Sequence, residues 1–297
     1  MASHEYTQLR KVLRPGLADP EDPIDVVRRK MHDIHPTRYP DDVRVERLEL
    51  GGVPAAWVST PEVGGADRAL FMVHGGAFVS TGIAHYIPYA ARLSRHVRAR
   101  VLLHEYRLAP EHPFPAALED TVAVYRAALE RGVSAERIAF LGDSCGGGIA
   151  LAALLSLRDA GDPLPAACVG LSPWLDLEVT GDSAHEPRGV DPYLDPQWVR
   201  NRGRDYVGAD GDVRDPLVSP LHADLTGLPP LLLSVGEIDL MRDDSTRLAA
   251  RAGRDGVAVT LEVNPEMIHG FHGLSDLFPE SRGALERVGE FVRRHVS

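Results

Sequence analysis

The stretch at residues 138–157 constrains this sequence most, because it joins an apolar strand, a tight turn and an apolar helix without a gap. Residues 138–141 are a short apolar run that suits a buried strand. Residues 142–146 read G-D-S-C-G, a G-x-S-x-G motif, and an Ala/Leu-rich helical stretch follows. This order predicts a nucleophile elbow, in which a strained turn exposes the Ser144 hydroxyl above the strand ends. A plain glycine–serine turn before a helix is the alternative, since so short a motif also arises by chance.

From residue 69 onward, apolar runs typical of buried strands alternate with helical patterns. Strands are expected at 69–73, 101–106, 138–141, 167–171, 231–235 and 257–263, with helices at 86–97, 118–129, 241–254 and 283–295 besides the one after Ser144. A hairpin of two strands, 43–50 and 53–59, is expected ahead of them. This alternation predicts an α/β fold with a mostly parallel sheet and helices on both faces.

Two segments do not follow this alternation of strands and helices. Residues 1–42 contain two amphipathic helical patterns ahead of the first strand. Residues 177–213 are polar and proline-bearing, and Asp195-Pro196 resembles an N-cap followed by the first helical residue. We interpret 177–213 as an insertion on top of the sheet. The N-terminal helices have two readings at this point, a cap over a site or a pair that only packs on the sheet.

Composition excludes several function classes. The net charge of −11 argues against a nucleic-acid partner, and 6% aromatic residues leave no stacking platform for bases. Residues 1–20 lack the apolar core of a secretory signal, and the longest apolar run, 146–157, is too short to cross a bilayer. Cys145 and Cys168 provide neither a disulfide framework nor metal-ligand spacing. We therefore expect no membrane insertion, no metal, reduced thiols and a cytoplasmic location.

A serine hydroxyl is a weak nucleophile, so Ser144 requires a base, and the base requires an orienting acid. In open parallel sheets such groups gather past the carboxyl ends of the strands, here in the order Ser, acid, His. For the acid we select Asp239, which follows strand 231–235, with Glu237 as its rival. Asp243 and Asp244 fall in the first turn of the next helix, where we expect them to compensate the helix dipole.

For the base we select His269, which lies beside a glycine in the loop after strand 257–263, with His272 as its rival. The developing oxyanion needs amide donors. Strand 69–73 runs into His-Gly-Gly-Ala at 74–77, whose glycines allow the loop to turn its N–H groups toward a substrate oxygen. The amide of Cys145, the residue after the nucleophile, is the expected second contribution.

These motifs together resemble the hormone-sensitive-lipase-like family of α/β-hydrolase esterases, over residues 69–273. The matching segments are H-G-G-A-F at 74–78, Y-R-L-A-P-E and H-P-F-P-A at 106–116, G-D-S-x-G-G at 142–147, D-P-L-V-S-P-L at 215–221 and H-G-F at 269–271. The resemblance implies a catalytic triad of Ser144, Asp239 and His269. It also implies a single α/β-hydrolase domain, 1–297, with an eight-stranded sheet, a core at 43–176 and 214–297, and a helical cap from 1–42 and 177–213.

Three motifs depart from the family pattern. The oxyanion motif ends in Ala77 rather than glycine, so Gly75, Gly76 and Ala77 are all candidate donors; we favour Gly76 and Ala77. Cys145 replaces the usual alanine, near a helix N-terminus that can lower the pKa of a thiol; we interpret it as a small packing residue. Asp239-Leu240-Met241 replaces the family's Asp-Pro-Leu.

The resemblance implies a serine carboxylesterase that cleaves small-molecule esters with short- to medium-chain acyl groups and needs no cofactor. Two alternatives stay open. One is an N- or O-acetyl hydrolase or a lactonase acting on a natural product, because a triad does not distinguish these bonds. The other is a non-catalytic receptor on the same fold, like the plant gibberellin receptors, which lack the histidine that His269 supplies here. Family members often pair through the last strand or the closing helix, so a homodimer is also an expectation.

Overall fold

The structure, a computed structural model, describes residues 2–12, 19–35, 37–65, 67–186 and 191–296. Within these ranges eight strands form one sheet. They are β1 Arg44–Leu50, β2 Val53–Ser59, β3 Ala69–Val73, β4 Arg100–His104, β5 Ile138–Asp143, β6 Ala167–Leu171, β7 Leu231–Gly236 and β8 Val259–Asn264.

The strand order is β1-β2-β4-β3-β5-β6-β7-β8. Strand β2 runs antiparallel to both neighbours, and every other neighbouring pair is parallel. The central strands are buried on both faces, which explains their continuous apolar sequences. The expectation of an α/β-hydrolase fold with a mostly parallel eight-stranded sheet is confirmed.

Eight α-helices are present among the described residues. They are α1 His4–Val12, α2 Ile24–Ile34, α3 Ile83–Val97, α4 Ala116–Glu130, α5 Cys145–Ala160, α6 Pro196–Val207, α7 Arg242–Arg254 and α8 Pro279–His295. Side chains of α3 and α8 share one hydrophobic core with one face of the sheet, and those of α4, α5 and α7 share the core on the other face. None of the described helices has the length and apolar character that crossing a bilayer requires.

The two segments outside the alternating pattern carry helices α1, α2 and α6. Helix α6 begins at Pro196, and the Asp195 carboxylate accepts hydrogen bonds from the amides of Gln197 and Trp198 at 2.8 and 3.1 Å. This is the N-cap that Asp195-Pro196 predicts. Residues 1, 13–18, 36 and 187–190 of the expected cap lie outside the described residues.

The expectation for Asp244 requires a correction. The residue lies in the first turn of α7, but it is only 3% exposed and does more than compensate a dipole. Its carboxylate accepts hydrogen bonds from the amides of Leu175 and Asp176, at 2.8 and 3.0 Å, and pairs with Arg247 at 3.0 Å. Burial raises the pKa of Asp244 to about 7. Asp244 therefore fastens α7 to the segment that follows β6.

We expect Asp244→Ala to lower the free energy of unfolding by about 3 kcal/mol, because two buried amides lose their acceptor. Urea denaturation measures the change. The matched control is Asp210→Ala, at an exposed position, which should change stability by less than about 0.5 kcal/mol. Equal denaturation midpoints for both variants would contradict the role of Asp244.

Candidate active site

Ser144 occupies the sharp turn between β5 and α5, with φ 54° and ψ −124°. Side-chain-bearing residues rarely adopt this conformation, so the surrounding contacts must hold it. The Ser144 amide donates to the Leu171 carbonyl at 2.9 Å, and the Ser144 carbonyl accepts from the amides of Gly147 and Trp174. These bonds anchor the turn to β6 and to the loop after it.

The glycines of the motif are required by close backbone approach. A Cβ at Gly142 would lie 2.3 Å from the Gly146 carbonyl oxygen, and a Cβ at Gly146 would lie 2.2 Å from the Val73 carbonyl oxygen. Both distances are far below van der Waals contact. The backbone of α5 therefore packs directly against the end of β3, where the His-Gly-Gly-Ala loop begins.

The structure brings Ser144, His269 and Asp239 together from three separate strand ends. His269 Nε2 lies 2.9 Å from Ser144 Oγ, and His269 Nδ1 lies 2.9 Å from Asp239 Oδ1. Asp239 Oδ1 also accepts the Met241 amide at 2.8 Å. Asp239 is 1% exposed and His269 8% exposed, so the chain of hydrogen bonds reaches solvent only at its serine end.

The two rival residues lie elsewhere. The exposed Glu237 accepts the Glu266 amide at 2.8 Å, which braces the loop that carries His269. His272 is fully buried, with its Nε2 2.9 Å from Ser234 Oγ, and burial lowers its pKa to about 3. His272 is therefore a neutral residue of the core.

The amides of the 74–77 loop have different partners. The Gly75 amide donates to the Tyr86 hydroxyl at 2.8 Å, so it is not available to a substrate. The Phe78 amide donates to the Cys145 sulfur at 3.2 Å. Gly76 and Ala77 lie between these two fixed points and line the cavity beside Ser144. Of the three candidate loop donors, the Gly75 amide is thus already paired, and Gly76 and Ala77 stay predictions.

Tyr86 of α3 is a site residue that the sequence analysis missed. Its hydroxyl accepts from Gly75 and donates to Asp143 Oδ2 at 2.7 Å, so it links the glycine loop to the serine turn. These contacts span 11 and 57 positions in the chain. No local pattern in α3 distinguishes Tyr86 from an ordinary core tyrosine, so only the tertiary structure reveals it.

Cys145, which we interpret from the sequence as a small packing residue, is fully buried, and the nearby helix N-terminus does not lower the pKa of its thiol. Burial raises the pKa of Cys145 to about 12, because the sulfur is enclosed and the thiolate would be unsolvated. Cys168 is raised to a pKa of about 12 for the same reason. Both cysteines are free and buried. The Cys145 sulfur serves instead as the acceptor that positions the Phe78 amide.

Charge around His269 favours its imidazolium. Burial lowers the pKa of His269, but the carboxylates of Asp239, Asp191 and Asp143 outweigh burial and raise it. Asp191, from the insertion, accepts from the Leu240 amide at 3.0 Å and from the Tyr193 amide at 2.8 Å. It therefore holds the backbone next to Asp239. The sequence analysis missed Asp191 because nothing near residue 191 indicates this contact.

A cavity opens above Ser144 and encloses about 1020 Å³ of space, part of it solvent at the mouth. Helix α2 contributes Met31 and Ile34 to its wall. The insertion contributes Tyr193, Leu194 and Trp198. Both segments outside the alternating pattern thus lie against the serine site.

Asp176, Glu178 and His222 are the one group in the described ranges with metal-ligand spacing, their ligand atoms lying within 4.8 Å of one another. The Asp176 carboxylate is already paired with Arg247 at 2.9 Å, and that of Glu178 with Arg214 at 3.3 Å. None of the three residues lines the cavity. We interpret the group as an ion-pair network and assign no metal to it.

Comparison with known proteins gives consistent results. A family profile of the α/β-hydrolase fold matches residues 70–273. An acetyl-hydrolase from Streptomyces hygroscopicus is 42% identical over 246 residues, which cover 83% of this chain and 81% of that protein. A solved esterase of the bacterial hormone-sensitive lipase family is 40% identical with a TM-score of 0.94 and covers all of both chains. The esterase EstE5, soaked with p-nitrophenyl butyrate, is 41% identical with a TM-score of 0.93 over 99% of each chain.

The charge around His269 predicts a pH profile. Only neutral His269 can accept a proton from Ser144, and its carboxylate neighbours hold its pKa above 6.5. Hydrolysis of p-nitrophenyl acetate should therefore rise with pH through a midpoint above 6.5 in kcat/KM. Asp191→Asn removes one negative charge and should move that midpoint to lower pH. The control is Asp182→Asn, an exposed position in the same insertion. A midpoint that stays in place in Asp191→Asn would refute this electrostatic role.

Proposed function

Since the chain belongs to the α/β-hydrolase-fold family, in its hormone-sensitive-lipase-like group of carboxylic-ester hydrolases, we propose that Ser144, His269 and Asp239 carry its reaction. The observation that supports this assignment is the continuous hydrogen-bonded path from Ser144 through His269 to Asp239, with both distances at 2.9 Å. Each of these side chains has the chemistry that acyl transfer requires, and they meet beneath a cavity.

The first half of the reaction forms an acyl-enzyme. Ser144 Oγ attacks the ester carbonyl carbon while His269 Nε2 takes the hydroxyl proton. Asp239 keeps the proton of His269 on Nδ1 and stabilises the imidazolium that forms. His269 then gives its proton to the departing alcohol, and the acyl group stays on Ser144. In the second half a water molecule, which gives its proton to His269, attacks the carbonyl carbon of the acyl-enzyme. The bond to Ser144 Oγ breaks, His269 returns the proton to Ser144, and the carboxylic acid leaves.

Three amides stabilise the tetrahedral oxyanion in this proposal, those of Gly76, Ala77 and Cys145. Gly76 and Ala77 line the cavity next to Ser144, and Cys145 begins helix α5. An amide at the first turn of a helix has no partner within that helix, so it is free for a substrate oxygen. The dipole of α5 adds a positive potential at the same point.

We assign the cap to the two segments predicted for it, 1–42 and 177–213. Helix α2 is fixed over the site by Arg28, whose guanidinium donates to the Val79 carbonyl at 2.8 Å and pairs with Glu111 at 2.6 Å. A wall built from α2 and the insertion limits the room for an acyl chain. This supports short- to medium-chain esters as substrates.

Deacetylation is the second candidate, supported by the acetyl-hydrolase to which the chain is 42% identical. The proposed triad would serve an acetyl ester or an acetyl amide with the same groups. Parallel assays of p-nitrophenyl acetate and p-nitroacetanilide separate the two, because they release related products from an ester and an amide.

Two further expectations stay predictions. The buried, unpaired state of both cysteines supports a cytoplasmic location. A homodimer is supported by the edge strand β8, where Leu261 and Val263 are 37% and 40% exposed.

The first test is hydrolysis of p-nitrophenyl esters from acetate to laurate. We expect an optimum among the short or medium chains. Ser144→Ala should lower kcat/KM by about 10⁴-fold or more, because no other group replaces the nucleophile. Ser134→Ala, at an exposed position, is the matched control. Folded protein without turnover on any of these esters would reject the proposal and direct attention to amides and to non-catalytic ligand binding.

A second variant tests the cap. Arg28→Met keeps the aliphatic stem but loses the bonds that hold α2, so the cavity wall should loosen. We expect KM for p-nitrophenyl butyrate to rise about 5-fold, the equivalent of about 1 kcal/mol. The adjacent and exposed Arg29 supplies the control, Arg29→Met. Equal KM values in the two variants would mean that α2 does not shape the substrate site.

A further inference from the structure

Helix α3 presents a polar stripe to the cavity above Ser144. His85, Tyr89 and Arg92 lie four and three residues apart, which places them on one face of the helix, and all three line the cavity. Other lining residues of the same cavity are apolar, among them Met31, Ile34 and Leu194. An alkyl chain would suit these apolar residues alone. The stripe, which we call the α3 polar stripe, therefore needs its own explanation.

Tyr89 is the central residue of the stripe, and its hydroxyl finds no hydrogen-bond partner in the part of the chain that the structure covers. The residue is only 6% exposed. Burial raises the pKa of Tyr89 well above 10, so the phenol keeps its proton and is a donor at neutral pH. A buried donor without an acceptor costs free energy, and a ligand that supplies the acceptor recovers it.

Arg92 is the next residue of the stripe, and it too has a hydrogen-bond donor that lacks an acceptor. Nη1 pairs with Asp276 at 3.0 Å, and Nη2 donates to the Gly273 carbonyl at 2.7 Å. Nε is buried and has no partner among the described residues. The Arg92 side chain is 18% exposed, whereas that of Asp276 is 71% exposed, so solvent screens the charge of this paired carboxylate. The Arg92 guanidinium lies 5.6 Å from the centre of the Tyr89 ring, so the two side chains are direct neighbours.

Charge is distributed unevenly along the stripe. Near Ser144, Asp143 Oδ2 accepts from Tyr86, and Asp143 Oδ1 has no partner in the described chain. His85 lies at the same end, with its Nε2 2.9 Å from His32 Nδ1. Arg92 lies six residues beyond Tyr86, about 9 Å farther along the helix axis at 1.5 Å per residue. Donors and positive charge are therefore concentrated away from the reacting serine.

We propose that Tyr89 and Arg92 form a subsite for an oxygen anion, in the first place a carboxylate, on the non-reacting part of the ester substrate. The proposal rests on the function proposed above, since it concerns the same cavity. The Tyr89 O–H and the Arg92 Nε–H, neither of which has an acceptor among the described residues, match a carboxylate, which accepts through both oxygens. A purely alkyl substituent would leave both donors unpaired. The substrate class is thus an ester of modest length with an anionic group remote from the scissile bond.

The test compares substrates that differ only in charge. One pair carries the group on the alcohol side, 4-acetoxybutyrate and 4-acetoxybutanamide. The other carries it on the acyl side, monomethyl adipate and its carboxamide. Acid release in a pH-stat gives kcat/KM for each ester. We expect the carboxylate to exceed its carboxamide by about 10-fold or more in at least one pair, and that pair identifies the side of the ester that occupies the subsite.

Variants of the stripe test which residues produce the preference. Tyr89→Phe and Arg92→Gln should each reduce the carboxylate-to-carboxamide ratio by about 10-fold. Arg95→Gln is the matched control on the same helix, because Arg95 pairs with Asp42 and Glu62 and does not line the cavity. Its ratio should equal that of the wild type. Thermal unfolding verifies that each variant is folded. If Arg92→Gln is not folded, Tyr89→Phe, which removes a single oxygen, decides whether the stripe produces the preference for the carboxylate.

The outcomes distinguish failure of the subsite from failure of the proposed esterase function on which it rests. A wild-type ratio of one or less in both pairs, with normal hydrolysis of p-nitrophenyl acetate, overturns the subsite and leaves the esterase assignment intact. A stripe variant that slows the carboxylate and the carboxamide equally also overturns it, because the residue then acts only through the fold. Absence of Ser144-dependent hydrolysis on every ester removes the proposed function and the subsite together.

Discussion

The strained backbone of Ser144 is the constraint on which the rest of the site depends. A residue at φ 54° and ψ −124° is held there only if its neighbours leave no alternative. Here Gly142 and Gly146 allow the backbones of β5, α5 and β3 to approach closely, and a side chain at either position would collide with a carbonyl. This contact fixes the distance between the serine and the loop that leaves β3. The position of the proposed oxyanion donors relative to the nucleophile therefore follows from backbone packing.

Two hydrogen-bonded connections fasten other elements to that turn, and a third fastens the insertion beside Asp239. Tyr86 joins it to the glycine loop and to α3 through Gly75 and Asp143. His269 joins it to the loop after β8. Asp191 joins the insertion to the backbone beside Asp239. Helix α3 and the insertion, which both line the cavity, are thus hydrogen-bonded to residues next in sequence to Ser144 and to Asp239.

The sequence predicts the parts of this site that follow from topology. Parallel strands place their carboxyl ends together, so the order of strands predicts that Ser144 meets an acid and a histidine from the loops after the last two strands. The family resemblance singles out Asp239 and His269 in those loops, and the structure puts them within hydrogen-bond distance. The sequence does not predict contacts between side chains that are distant in the chain and that fit the ordinary pattern of their own helix or strand. Asp244 reads as a helix-dipole residue until Leu175 and Asp176 are found against it. The sequence indicates a small packing residue at Cys145, but not that its sulfur accepts a hydrogen bond from the Phe78 amide. Such roles depend on desolvation and on partners, which periodicity does not encode.

The two departures from the family pattern in the oxyanion region are connected by one contact. Ala77 and Phe78 have φ of 54° and 67°, a left-handed conformation that costs a residue with a side chain about 1–3 kcal/mol. The Phe78 amide donates to the Cys145 sulfur, and the Phe78 ring stacks on Tyr206 of α6 at 3.9 Å. A small alkyl side chain at position 145 would offer that amide no acceptor. The thiol therefore supplies an acceptor directly beside the positive-φ residues Ala77 and Phe78, and the contact of Phe78 with Tyr206 ties the insertion to the same loop.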